Sequence, residues 1–357
     1  MQTKETVFLE THNLNNRATG LGTFNYELIK GFSQISLENF ELHLNASDVK
    51  GLASEFGNTF KYHKYFGFHR YPFFQTKKKY SLWHSVNQNT KIEPKNPQNY
   101  LLTIHDVNFF EEISSDINHP RNQQFIEKLN RATAISYISE FAKKQTYEYF
   151  NVPNVPEYIV HNGNPISTLQ DTSGFRSEIP LNKPFFYSLG DFLKRKNFMS
   201  IIKMMEQIDD HILIISGNNE KKYGLEIKQY IKEKNLENKI FLTGRVSDVA
   251  KQFYLKNCTA FLFPSIREGF GLPPIEAMRF GKPVFLSDLT SLPEIGGDVA
   301  NYWTNFDPEY MKQTLFDGLH QNELNKEIHS QQLIERGLSF DWKNTAAAYL
   351  EIYKKSI

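Results

Sequence analysis

Five short apolar runs in the second half of the chain each stop at a glycine or a small polar residue. They are Phe185–Leu189 before Gly190, Ile212–Ser216 before Gly217, Lys239–Thr243 before Gly244, Ala260–Phe263 before Pro264-Ser265, and Pro283–Ser287. Runs of this length, separated by amphipathic stretches, predict a parallel sheet covered by helices on both faces. Such sheets take ligands at the carboxyl ends of their strands, where small residues leave room. The first half repeats the pattern. Thr6–Glu10 reads as a strand, followed by a loop holding Gly20 and Gly22 and a helix from about Thr23 to Phe32. Strands are also expected at Tyr100–Ile104, ending at His105-Asp106, at Ala134–Ile138, ending at Ser139-Glu140, and at Glu157–His161. The polar stretch to Pro184, broken by Gly174 and Pro180, reads as an interdomain linker. The fold class is therefore α/β, with two Rossmann-like domains facing each other across a cleft. The expected domains are 1–170 and 171–341.

Composition narrows the function. The chain has 357 residues, 40% hydrophobic and 23% charged, with a net charge of +1. That balance gives no bulk attraction for nucleic acid. A single cysteine, Cys258, excludes an internal disulfide and a cysteine-rich metal site, and its apolar surroundings predict a buried thiol. With 30 Phe and 18 Tyr, most aromatics are expected in the core. No signal-like start and no run of about 18 apolar residues is visible, so a cytoplasmic protein is expected.

The stretch Pro264-Ser-Ile-Arg-Glu-Gly-Phe-Gly-Leu-Pro-Pro-Ile-Glu-Ala-Met278 is the most informative. A strand ends at Phe263, and Glu268, Gly269 and Gly271 make a tight loop. Pro273 and Pro274 suit a helix's first turn, in which Glu276 is expected to fall. Amides and a helix dipole there favour an anion, and glycines let it come close. Two carboxylates flanking a diphosphate site match the layout of a nucleotide sugar.

This stretch resembles the E-x7-E motif of family 4 retaining glycosyltransferases, which have the GT-B fold. Glu268 and Glu276 stand at the acidic positions, and the fold that the resemblance implies brings the helix at about 342–357 back to pack on the first domain. The resemblance extends in order over nearly the whole chain, through Gly20-Leu-Gly22, Thr103-Ile-His-Asp106, Ser139–Lys143, Val160–Gly163, Gly190 to Lys194-Arg-Lys-Asn197, Phe241–Val246 and Ser291–Asp298. It implies that Glu268 binds donor-hexose hydroxyls, and that the amides of Phe270, Gly271 and Leu272 bind hexose and diphosphate oxygens. Glu276 would bind the ribose, and Arg195 and Lys196 would stabilise the diphosphate leaving group. Gly20 and Gly22 belong to the implied N-terminal glycine loop, with Gly22 letting it approach the diphosphate. His105 would sit near the transferred sugar and Val246 against the base, with Gly190 opening the basic donor motif. Where many members carry an Arg after that glycine, this chain has Asp191, which is expected to point away from the phosphates.

The resemblance implies a retaining hexosyltransferase moving a mannose-type sugar, with GDP-mannose favoured over a UDP-hexose, to a saccharide or lipid-linked saccharide acceptor in surface polysaccharide or glycoconjugate synthesis. No D-x-D triplet is present, and neither metal nor other cofactor is expected. A nucleotide-sugar-binding protein without catalysis is the non-enzymatic alternative. An NAD-dependent oxidoreductase fits less well, because Asn25 stands where the third glycine of a dinucleotide fingerprint belongs.

Structural readings compete at several positions. Glu268 read alone is a loop acid, Lys194-Arg-Lys196 a solvated charge run, and His105 a core histidine. Glu294 reads as the acid of a capping box begun by Ser291. Residues 56–92 contain no acid but carry Lys61, Lys64, Arg70, Lys77, Lys78, Lys79 and Lys91 among Tyr and Phe residues. Peripheral contact with the inner face of a membrane through residues 61–80 is one reading of that segment. An aromatic core with a solvated basic face is the other.

Overall fold

The computed structural model describes residues 4–17, 19–37 and 39–357. The chain forms two compact units, one running to Pro165 and completed by Asp341–Ile357, the other Ile166–Phe340.

The N-terminal unit is built on seven parallel strands: β1 (Glu5–Leu9), β2 (Phe40–Ala46), β3 (Lys61–Lys64), β4 (Leu82–Ser85), β5 (Tyr100–Ile104), β6 (Ala134–Tyr137) and β7 (Glu157–Ile159). Their spatial order is β3-β2-β1-β4-β5-β6-β7. In register, Val7 lies opposite Leu42 on one side and Leu82 on the other. Strands β4, β5 and β6 are buried along their whole length, as β5 shows with Tyr-Leu-Leu-Thr-Ile. Three strands have no clean apolar run. In β2 and β4 the buried positions include His43, Asn45 and His84, and β3 reads Lys-Tyr-His-Lys.

The expected helix from Thr23 begins earlier, at Gly20, and runs to Ser33. Thr19 caps it, its Oγ1 accepting the Gly22 N–H at 3.2 Å. Gly20 and Gly22 therefore lie in a helical turn and not in a loop. The helix Trp342–Ser356 packs along it. The approach is so close that a Cβ on Gly31 would stand 2.3 Å from the Trp342 carbonyl oxygen. The same C-terminal helix closes a buried polar network. The Tyr353 hydroxyl is 2.7 Å from His84 Nδ1, and Thr103 Oγ1 is 2.7 Å from His84 Nε2.

The second unit holds six parallel strands: β8 (Phe185–Leu189), β9 (Ile212–Ser216), β10 (Ile240–Gly244), β11 (Ala260–Phe263), β12 (Val284–Ser287) and β13 (Asn301–Trp303). Their order is β10-β9-β8-β11-β12-β13. Five of the six coincide with the glycine-ended runs. The sixth, β13, has three residues, and only Trp303 is buried, its indole N–H donating to the Met311 carbonyl at 3.1 Å.

The chain builds β8, β9 and β10 in one direction and then crosses to β11 on the other side of β8. The β8/β11 boundary is thus where the strand order reverses, the place where open α/β sheets accept ligands. Glycines permit the strand ends to crowd there. Gly217 has φ +143°, and a Cβ on it would lie 1.9 Å from the Gly190 carbonyl oxygen. Gly217→Ala is expected to lower the unfolding free energy by about 2 kcal/mol or more, because backbone cannot yield as a side chain can. Urea unfolding measures this, and a loss below about 0.5 kcal/mol, the size of an ordinary surface change, would contradict it.

Candidate functional site

At the β8/β11 reversal two segments meet. After β8, Gly190 (φ +153°) leads through Asp191 into a short turn, Lys194–Lys196, closed by Asn197 in the left-handed region. After β11, residues 264–271 loop back to the helix Leu272–Met278. The segments are tied through the backbone, with Ile266 N–H donating to the Arg195 carbonyl at 2.8 Å.

This tie places three charges together. Lys196 Nζ donates to Glu268 Oε1 at 2.5 Å, and Arg195 Nη1 lies 3.3 Å from Glu268 Oε2. Ser265 Oγ donates to Glu268 Oε1 at 2.6 Å. Glu268 is 8% exposed and Lys196 7%, so both charged groups are desolvated. Burial raises the Glu268 carboxyl, but the Lys196 and Arg195 charges more than reverse this, and it is held below its usual range. Burial, with repulsion from Arg195, outweighs the attraction of Glu268 for Lys196, whose ammonium is held below its usual value. The result is an ionised carboxylate fixed between two cations at a strand edge. The Lys196 stem runs over Phe263, with Nζ 4.7 Å from the ring centre.

The Glu268 loop is also held from β12. Thr290 Oγ1 accepts the Glu268 N–H at 3.1 Å, and Ser291 Oγ donates to the carbonyls of Glu268 (3.0 Å) and Phe270 (2.6 Å). Ser291 thus braces the loop and makes no side-chain cap to the helix Leu292–Gly296, which corrects the expected capping box. Phe270 anchors the loop by burying its ring edge-on against Phe340, 5.6 Å between centres. Gly271, at φ +121°, is the residue before the helix. Glu276 is the helix's fifth residue and stands beyond the first turn, a second correction.

Glu276 is buried and faces Lys251, on the helix Asp248–Asn257, at 3.1 Å. Burial pushes the Glu276 carboxyl up despite Lys251. For Lys251 burial works downward, but the pull of Glu276 and Asp248 prevails and holds it above its usual value. Val246 is half-buried in the turn after β10. Asp191 has its own partners, Lys221 at 3.0 Å and Arg245 at 3.7 Å. Lys251, Thr290 and the bracing role of Ser291 were not foreseen. All three follow strands of the same sheet edge, and that shared position is the only signal a sequence carries for them.

The remaining expected residues belong to the N-terminal unit. His105 follows β5 and is buried, with Nε2 2.8 Å from the Val86 carbonyl and its ring edge-on to Phe24 at 4.5 Å. Burial lowers it to about 4, so the ring is neutral near pH 7. Gly22 packs on the preceding turn, where a Cβ would lie 1.9 Å from the Asn16 carbonyl oxygen. Cys258 is buried, and burial pushes its thiol up to about 12. Among the described residues no group of three His, Cys, Asp or Glu is arranged to hold a metal ion, and no helix is long and apolar enough to cross a membrane.

The family model for glycosyl transferases group 1 matches residues 170–336, which contain Arg195, Lys196, Lys251, Glu268 and Glu276. Among curated proteins, the serotype-specific mannosyltransferase WbdA of Escherichia coli is 23% identical over 292 residues, 75% of this chain and 35% of that protein. The chain thus spans about a third of WbdA. The O-antigen chain mannosyltransferase B of Escherichia coli is 26% identical over 282 residues, 73% of this chain and 71% of that protein. Among solved structures, Anabaena Alr3699/HepE in complex with UDP and glucose superposes with a TM-score of 0.72 at 15% identity, covering 98% of this chain and 100% of that one. Residues 170–336 thus match a glycosyl transferases group 1 domain, and the two parallel sheets with these structural likenesses give the chain the GT-B fold.

Proposed function

We propose that the chain is a family 4 retaining enzyme that moves a mannose-type hexose from a nucleotide diphosphate sugar to a saccharide or lipid-linked saccharide acceptor in surface polysaccharide synthesis. The observation that carries this reading is the buried Glu268 carboxylate held between Lys196 and Arg195 at the β8/β11 reversal. Hydrogen-bonding acceptors for hexose hydroxyls and cations for a diphosphate then stand side by side. Fixed charges in a desolvated site act on the leaving group without reorganising. The amides of Gly271 and Leu272 head the helix beside them, where phosphate oxygens are favoured. Glu276 takes the ribose and Val246 the base.

In the proposed reaction the bond from the anomeric carbon to the diphosphate oxygen breaks, and the acceptor oxygen bonds to that carbon on the same face. The acceptor proton passes to the departing diphosphate, whose negative charge Arg195 and Lys196 offset. These cations supply the neutralisation, so the reaction is proposed to need no metal. The likeness to two mannosyltransferases of O-antigen supports a mannose-type donor. The UDP and glucose bound in the Anabaena protein support a nucleotide sugar in general and make UDP-hexose the competing donor.

The test is a melting-temperature screen of GDP-mannose and UDP-hexoses in chelator, followed by transfer assays. A donor at a hundred times its Kd stabilises the protein by about 2.7 kcal/mol. Glu276→Ala is expected to weaken nucleotide binding about ten-fold, the size of one lost charged hydrogen bond. Glu268→Ala is expected to lower turnover about a hundred-fold or more while nucleotide binding persists. Unchanged kinetics in both variants would overturn these roles. Binding without turnover in the wild type would favour a non-catalytic sugar-nucleotide-binding protein.

A further inference from the structure

We infer that the segment between β3 and β4 is a docking surface for an anionic lipid bilayer. Here the chain makes two short 3-10 turns, Gly67–Arg70 and Pro72–Phe74. Their aromatic residues face outward, although composition alone assigns most aromatics to the core. Phe66 is 46% exposed, Phe68 44%, Tyr71 58%, Phe73 86% and Phe74 48%. The rings touch one another, with Phe66 to Phe68 at 5.3 Å, Phe68 to Phe74 at 5.0 Å and Phe73 to Phe74 at 5.2 Å. They form one apolar knuckle, and a contiguous exposed patch of large side chains marks an interaction surface.

The charges around the knuckle choose the partner. No carboxylate occurs from residue 56 to residue 92. Lys61, further back, has Glu41 at 3.9 Å. Arg70, Lys77, Lys78 and Lys79, which flank the rings, form no ion pair among the described residues; Lys78 lies over the Tyr80 ring at 5.0 Å. Rings at the headgroup boundary with lysines reaching lipid phosphates is the arrangement that an anionic interface stabilises from both sides. A second copy of the chain would bring the same uncompensated cations face to face across a two-fold axis. The tail of the segment is tied to the unit's body, Lys95 N–H donating to the Thr76 carbonyl at 3.4 Å.

This surface goes beyond the transferase reading and is tested without any sugar donor, so failure of either leaves the other standing. The full chain is sedimented with vesicles of phosphatidylcholine alone and with about 30% phosphatidylglycerol, a charge density at which several lysines act together. Binding is expected only to the anionic vesicles and should weaken as salt rises from about 0.1 to about 0.5 M. Lys77→Glu/Lys78→Glu/Lys79→Glu should reduce it about a hundred-fold or more, and Phe68→Ser/Phe73→Ser about ten-fold. All five positions are exposed, and unchanged melting temperatures establish that the variants fold. Absence of binding, equal binding to neutral vesicles, or binding that either variant leaves intact would overturn the inference. So would a concentration-dependent dimer dissolved by Phe68→Ser/Phe73→Ser, which would assign the rings to self-association.

Discussion

Replacing Lys196 with methionine lowers the unfolding free energy of the C-terminal unit by about 3–5 kcal/mol, the size expected when a buried ion pair loses one partner. Glu268 would remain at 8% exposure with Arg195 alone, 3.3 Å away, to offset its charge. The methionine itself packs well, because the lysine stem already lies over Phe263, so the loss measures charge and not a cavity. Lys196→Met/Glu268→Leu is expected to regain most of the stability, since apolar isosteres often replace a buried pair at no net cost. Urea unfolding followed by Trp303 fluorescence reports on this unit, where Trp303 is the only tryptophan. The pair of variants also separates structure from function. If the ion pair serves only to hold two loops together, the double variant is stable and transfers sugar normally. The proposed chemistry requires it to be stable and inactive. A single-variant loss below about 1 kcal/mol, typical of an exposed pair, would show that water already reaches Glu268.

That network marks the limit of what spacing along a chain can say. The loop that carries Glu268 from β11 to the next helix was legible because it has its own local grammar of glycines and prolines after a strand. The distance between Lys196 and Glu268 was not, since 72 residues separate them and only the adjacency of β8 and β11 joins them. Lys251 beside Glu276 is hidden for the same reason. In the second sheet, five strands were readable because each is a continuous apolar run, and β13 was not because one buried tryptophan makes no pattern. In the first sheet, β2 and β4 escaped because their interior positions are His43, Asn45 and His84, buried polar groups satisfied across the fold. Gly20 and Gly22 misled in the opposite direction. Two closely spaced glycines read as a loop, whereas the Thr19 cap starts a helix at Gly20 and Gly22 admits the preceding turn.

Acidification from pH 7 to pH 5 should cost the N-terminal unit at least on the order of 3 kcal/mol through two histidines. Burial lowers His84 to about 3, with repulsion from His105 adding to it, and burial lowers His105 to about 4. Both rings are neutral in the folded state. In the unfolded chain each takes a proton below its ordinary value of 6.5. Their contribution is therefore complete above about pH 6.5 and is lost as pH falls toward 4 and then 3. His43, lowered to about 4 mainly by burial, and His63, also lowered, add to the slope. Carboxylates of this unit held below their usual range, Glu10 and Glu157, act in the same direction but only below about pH 4.5, so the window from 7 to 5 isolates the histidines. His84→Gln preserves a donor and an acceptor for Tyr353 and Thr103 and removes one titration. It should reduce the loss over this window by about 1.5 kcal/mol, in line with one strongly depressed group. Unfolding at the two pH values, read from Trp83 and Trp342 in the same unit, makes the comparison. A wild-type stability that stays level across the window, or a slope His84→Gln leaves untouched, would mean that the imidazole between Tyr353 and Thr103 accepts a proton in the folded chain. In that case the C-terminal helix is not sealing the first sheet from water.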